Sequence, residues 1–243
     1  MTRDHLSLVT KEEENRPKPR IERGSPDDVF VSKLANVNLD LARKNTEDAR
    51  NNFEFNQLIG RTLATGGRTN YIQICAPFEL YALTRLIQPK HVVEVGVSAG
   101  VSTAYLLLGL QKNGKSGVLH SIDLPVIQTR EIKGASWALP LGKKSGWAVP
   151  RYLKKSWDLR LGRSSEILPN LVKEIDVIDL FVYDVPYEID EAISDFTVVN
   201  KKLRKGSIVL ADNCLVPISW WARKRKAILH KRKNSGFRGF RVA

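Results

Sequence analysis

The stretch Gly96-Val97-Ser98-Ala99-Gly100 satisfies two chemical patterns at once. As G-x-S-x-G it matches the strained turn that presents a nucleophilic serine at the top of an α/β sheet. As a glycine-bracketed loop after the β-branched run VVEV (92–95), it matches a loop on which a nucleotide-type cofactor rests. A nucleophile needs a base and an orienting acid, in the order Ser, Asp or Glu, His for this kind of sheet. The late histidine, His230, stands among Lys226, Lys231, Arg232 and Lys233. Those cations disfavour the imidazolium that a base must become. No HGGG-like stretch precedes the loop to form an oxyanion hole, and the loop follows the first strong strand rather than several. The cofactor loop is the better reading.

The residues around the loop restrict the ligand. Gly96 and Gly100 permit a tight turn and close approach of backbone to a bound molecule. Ser98 breaks the G-x-G-x-x-G fingerprint of dinucleotide sites. Glu94, two residues ahead of Gly96, would repel a pyrophosphate and suits a ligand that carries positive charge. Asp123 ends the next apolar run, GVLHSID, where a carboxylate can accept from both hydroxyls of a ribose. A nucleoside without phosphates but with a cationic part describes S-adenosylmethionine.

The elements that must position these residues follow from periodicity. Residues 1–28 are polar, with KEEE, RPKPR and GSPDD, and read as a flexible arm. Residues 29–88 read as a helical extension. Asp27-Asp28 after Pro26 starts a helix through Val31, Leu34 and Ala35, weakly apolar helix continues to about Arg61, and a further helix covers Pro77 to Ile87. From residue 89 the rhythm changes. The strands HVVEVG, GVLHSID, WDLRLG, IDLFVYD and SIVLAD alternate with helices or long crossovers, which predicts a doubly wound α/β sheet of parallel strands over 89–243. Lys205-Gly206 is expected to close the last of these helices. The tail SGFRGFRVA alternates like a final, antiparallel strand at the sheet edge. The long segment between Asp123 and Trp157 reads as a lid or insertion.

With those elements in order, the chain resembles the class I S-adenosylmethionine-dependent methyltransferases, and within them the catechol O-methyltransferase-like, small-molecule O-methyltransferase subgroup. VVEVGVSAGVST, HSID, LGRSSEILPNL, IDLFVYD and LRKGSIVLADN carry the resemblance, over roughly residues 70–243. It implies a Rossmann-like methyltransferase sheet. It implies that Glu94, Gly96, Ser98, Gly100 and Ser102 hold the methionine part of the cofactor, that Asp123 holds the ribose, and that Gly162, Arg163 and Ser164 border the adenine. Asp184, which ends the fourth strand, lies beside the expected sulfonium.

Asp184 and Asp212-Asn213 end adjacent strands, and two carboxylates with an amide suit a hard cation such as Mg²⁺. The resemblance implies the same: Asp184, Asp212 and Asn213 would bind Mg²⁺, which there chelates a vicinal hydroxyl pair of the acceptor and lowers a hydroxyl pKa. The chain departs from the pattern at the base. Catechol-type enzymes have a lysine soon after the fourth-strand aspartate, and a related subgroup has a histidine. This chain reads Asp184-Val185-Pro186-Tyr187-Glu188. Tyr187 or Asp212 is left as the candidate base, beside a packing role for Tyr187, and catechol specificity does not carry over.

Composition sets the remaining expectations. The net charge is +13, and no acidic residue follows Asp212, whereas Arg223, Lys224, Arg225, Lys226, Lys231, Arg232, Lys233, Arg238 and Arg241 do. Such a run can hold nucleic acid or another anionic surface, or be a solvated helix face. Hence a second reading stands beside the enzyme of small-molecule acceptors: a basic RNA- or polyanion-binding protein on a methyltransferase scaffold. A second copy of the chain is a further candidate partner. No apolar run approaches the length of a membrane span, the first twenty residues lack an apolar signal core, and Cys75 and Cys214 form no disulfide framework. A cytoplasmic protein is expected.

Overall fold

The computed structural model describes residues 27–66, 76–114, 117–127, 138–185, 188–212, 214–233 and 235–243. The polar arm before Asp27, together with Cys75, Tyr187 and Asn213, lies outside the described residues.

The extension forms α1 (Asp28–Ala35), α2 (Leu39–Arg50), α3 (Phe53–Ala64) and α4 (Pro77–Ile87). Sequence periodicity ran the first three together, and short polar side chains divide them. Asn36 takes a left-handed conformation (φ 57°) after α1. Asn38 and Asn52 then accept from the backbone N–H of Leu41 and Phe55, at 2.8 and 3.3 Å, and cap the next two helices. Caps of this kind satisfy amides that the first helical turn leaves without partners.

From His91 strands and helices alternate: β1 (His91–Val95), α5 (Val101–Asn113), β2 (Val118–Asp123), β3 (Trp157–Leu161), α6 (Ser164–Glu174), β4 (Ile178–Tyr183), α7 (Ile189–Asn200), β5 (Leu203–Ala211), α8 (Leu215–Lys224), β6 (His230–Lys231) and β7 (Arg238–Arg241). The sheet has the order β3-β2-β1-β4-β5-β7-β6. The first five strands in this order are parallel, and β7 and β6 are antiparallel to their neighbours. The C-terminal strand is therefore antiparallel as expected, with the two-residue β6 outside it as the edge. Gly206 does not end a helix. It sits inside β5 at a left-handed φ of 91°, where the pairing of β4 with β5 shifts register. The strand begins earlier, at Leu203.

Alternation along each strand divides the core in two. Val92, Leu119, Leu180, Val182, Ile208 and Leu210 point to one face, where they meet residues of α1 to α5. Val93, Val95, Ile122, Phe181, Tyr183, Val209 and Ala211 point to the other, against α6, α7 and α8. The extension thus shares one core with the sheet. α5 is buried from Val101 to Leu110 apart from Ser102, because α4 covers the side that the sheet does not. That explains a helix apolar on nearly every side.

Candidate active site

The parallel register brings the carboxyl ends of the strands into one row. Each loop that leaves a strand is tied to its neighbour. Gly96 N–H donates to Ile122 O (2.9 Å), Gly162 N–H to Asp123 O (2.9 Å), Asp184 N–H to Val95 O (2.8 Å) and Asp212 N–H to Tyr183 O (3.0 Å). Residues far apart in sequence, from Gly96 to Asp212, therefore share one edge. This is where ligands bind in doubly wound sheets.

The glycine loop is built from three consecutive left-handed alternations, Gly96 (φ 96°), Ser98 (φ 48°) and Gly100 (φ 86°). A Cβ at Gly96 would stand 1.9 Å from the carbonyl oxygen of Asp184, so this loop and the β4 end are in backbone contact. Asp123 turns its carboxylate toward the loop. Its Oδ1 accepts from Val97 N–H (3.0 Å) and Ser98 N–H (3.4 Å), and its Oδ2 accepts from the Ser145 hydroxyl.

Glu94 is fully buried. Its Oε1 accepts from Ser102 Oγ (2.6 Å), and its Oε2 accepts from Thr103 Oγ1 (2.8 Å) and Ser121 Oγ (2.7 Å). Burial pushes its carboxyl up to about 7, and the charge of Asp123 adds to this, while the three hydroxyl donors pull the other way. Glu94 thereby fastens the start of α5 and strand β2 to β1. The hydroxyl of Ser102 is spent on that carboxylate. Thr103 and Ser121 were missed from sequence. The register that pairs Glu94 with Ser121 is the tertiary fact that selects the latter.

The turn after β3 is placed by a second buried carboxylate. Ser164 Oγ donates to Asp195 Oδ2 at 2.6 Å, and the Tyr183 hydroxyl donates to the same side chain. Burial raises the Asp195 carboxyl above the usual range. Arg163 is half in solvent and 4.0 Å from Glu191. Asp195 was also missed, since an acid in the middle of an amphipathic helix looks like any solvated position.

The segment before β3 is no free lid over residues 138–150. Gly146 N–H donates to Ser98 O (2.8 Å) and Ala148 N–H to Ala99 O (2.9 Å), which stitches it to the glycine loop. Gly100 and Gly146 touch closely enough that a Cβ on Gly100 would lie 2.6 Å from Gly146 Cα. Trp157 packs under Gly146 and donates through Nε1 to Ser121 Oγ at 2.9 Å. Trp221 is buried in the face covered by α6 to α8, with Trp220 half-buried against it.

Among the described residues no histidine stands where it could serve Ser98 as base. His230 lies on β6, four strand spacings from the β1 end that carries Ser98, roughly 19 Å away. His91 begins β1, at the other end of the sheet, and bonds His120 (3.1 Å). Asp184 and Asp212 sit side by side at the site edge through the backbone ties above. Among the described residues no group of three or more His, Cys, Asp or Glu is arranged to hold a metal. The two carboxylates and an amide expected for Mg²⁺ are a different set, and Asn213, like the candidate base Tyr187, lies outside the described residues.

Comparison with known proteins matches the same region. The model of a family described as "Methyltransferase domain" matches residues 93–214. No curated protein sequence matches the chain. Solved structures of similar fold include the O-methyltransferase from Bacillus cereus in complex with SAH, at 15% identity and TM-score 0.54, covering 76% of this chain and 90% of that one. The O-methyltransferase TomG from Streptomyces achromogenes, in complex with SAM, is 16% identical with a TM-score of 0.54, covering 78% and 89%. An SAH-bound methyltransferase from Podospora anserina is 12% identical with a TM-score of 0.52, covering 100% and 97%. At these identities the likeness is one of fold.

Proposed function

The chain belongs to the methyltransferase-domain family, S-adenosylmethionine-dependent enzymes, and from that premise we propose that it methylates an oxygen of a small-molecule acceptor. The observation that carries this reading is the shared edge. A left-handed glycine loop, a strand-end carboxylate beside it, and two further aspartates on adjacent strand ends stand along one edge of the sheet. The residue types fit the cofactor: carboxylates that can accept from a ribose diol and suit a ligand with positive charge.

In this reading Asp123 accepts from the ribose hydroxyls, held in orientation by Val97 N–H and Ser145. Glu94, Gly96, Ser98, Gly100 and Ser102 shape the place of the methionine part, and Gly162, Arg163 and Ser164 that of the adenine. S-adenosylmethionine supplies a methyl group on a sulfonium. The acceptor oxygen forms the new C–O bond as the C–S bond breaks in line, so orientation supplies much of the rate. Asp184 or Asp212, at adjacent strand ends beside the loop, would take the acceptor's proton, or the two with Asn213 would hold Mg²⁺, which would supply a lowered hydroxyl pKa. Tyr187, with an unperturbed pKa of about 10, would serve as base only if strongly depressed.

Isothermal titration with S-adenosylhomocysteine tests the site. Hydrogen bonds to a charged group are worth about 1.5–3 kcal/mol, so Asp123→Ala should weaken binding roughly 10- to 100-fold. Absence of binding by the wild type would overturn the proposal. Calorimetry with Mg²⁺ on the wild type and on Asp184→Asn with Asp212→Asn then decides the metal: heat in the wild type alone supports it, and none in either removes it.

A further inference from the structure

The fold gathers cations at the end of the sheet opposite the site. α8 leaves the Asp212 edge and runs back along the sheet to Lys224. There Arg225 Nη2 donates to the carbonyls of Asn200 (3.2 Å) and Leu203 (3.4 Å), which are the last residue of α7 and the first of β5. This staple places Lys201 and Lys202 of the intervening turn beside Arg223, Lys224 and Lys226. Among the described residues none of these five pairs with a carboxylate. The acids of this end are already engaged: Asp179 with Arg204 (2.8 Å) and Asp176 with Lys90 (2.8 Å). Beside the cluster Ile228 projects from the turn after α8, 75% exposed.

Two kinds of polyanion could meet such a face, and the apolar residues separate them. Single strands of nucleic acid are held by charge together with aromatic platforms. Here the ring of Trp220 is covered by Lys224 Nζ (5.3 Å) and packs on Trp221, which is buried. The exposed apolar group is aliphatic. Cations around a projecting aliphatic side chain suit the boundary between anionic headgroups and acyl chains.

We propose that the Lys201–Lys202 turn, the end of α8 and Ile228 form a docking surface for an anionic phospholipid bilayer. β4 passes from the level of Leu203 to that of Ala211 in six residues and α8 has ten, so this surface and the Asp212 edge are roughly 15–20 Å apart. The docked lipid is thus a tether and not the methyl acceptor, and the site faces away from the bilayer. The surface stands on charge and exposure alone, independently of the chemistry proposed for the site.

Each cation close to an anionic bilayer is worth roughly a fivefold change in partition. The full chain should sediment with vesicles of phosphatidylcholine mixed with phosphatidylglycerol and not with phosphatidylcholine alone. Replacing Arg223→Gln, Lys224→Gln and Lys226→Gln together should lower that partition about 100-fold. Lys44→Gln, Arg50→Gln and Lys112→Gln, exposed cations on α2 and α5, make the same charge change elsewhere and should leave most of the binding. Ile228→Ser should weaken vesicle binding without changing retention on a cation exchanger. All these side chains are exposed, and circular-dichroism melts matching the wild type verify folding. No binding to the mixed vesicles, or equal loss in both triple variants, overturns the proposal. Retention on RNA without vesicle binding overturns it too and assigns the face to nucleic acid.

Discussion

Glu94→Gln should remove a specific pH dependence from the stability of this chain. The Glu94 carboxyl is fully buried and pushed up to about 7 from an ordinary 4.5, chiefly by burial. Between those two pH values the folded protein keeps a proton that the unfolded chain has released. Stability from this group is therefore full below about pH 4.5, falls as pH rises, and levels off above about 7. A gap of two to three units at about 1.4 kcal/mol each is worth about 3 kcal/mol. Glutamine has nearly the same shape and no charge to release. Its amide NH₂ must face one of the three hydroxyls, which can turn to accept, and that offset is constant with pH. Urea unfolding of both proteins from about pH 5 to 8 isolates the effect, because every other titrating group cancels in the difference. The variant should gain about 2.5 kcal/mol relative to the wild type across the window, since part of the full effect lies below pH 5. Parallel stability curves would refute the reasoning, and would mean that Ser102, Thr103 and Ser121 stabilise the carboxylate enough to offset its burial.

Two further outcomes follow from packing. Gly96→Ala puts a Cβ against the Asp184 carbonyl at a φ of 96° and should cost roughly 3 kcal/mol or more, whereas Gly114→Ala, at φ 66° with nothing within 4 Å, should cost only about 1–2 kcal/mol. Chemical denaturation distinguishes them, and equal costs would count against the backbone contact. Arg232→Met leaves the fully buried Glu79, whose Oε1 accepts from Arg232 Nε at 2.6 Å and Asp27 N–H at 2.9 Å, with an uncompensated charge. It should cost roughly 3–5 kcal/mol, and adding Glu79→Gln should recover part of it. A loss below about 1 kcal/mol for the single change would show that the pair contributes little.

The parts of the molecule set by local chemistry were readable in the residues. The β-branched runs at 92–95, 118–123, 178–183 and 207–211 became strands, and Asp27, Pro77 and Gly100 stand where helices begin. The row of Glu94, Gly96, Asp123, Asp184 and Asp212 was also readable, because each ends or borders a strand and parallel strands end on one side. The hydroxyls around Glu94 and the Ser145 bond to Asp123 were not. They depend on which strand neighbours which, and on how the segment before β3 returns to the loop.

The basic tail shows the division most clearly. In sequence its nine cations are one run. In the folded chain Arg225, Arg232, Arg238 and Arg241 turn inward to backbone carbonyls or to Glu79, and the others remain at the surface. Charge, strand periodicity and the glycine spacing are properties of the chain alone, so sequence determined the fold class and the residue types at the site. Which carboxylate meets which hydroxyl, and which cation reaches solvent, depends on contacts between residues remote in sequence. Those are decided by the strand order β3-β2-β1-β4-β5-β7-β6 and by the layers packed on its two faces.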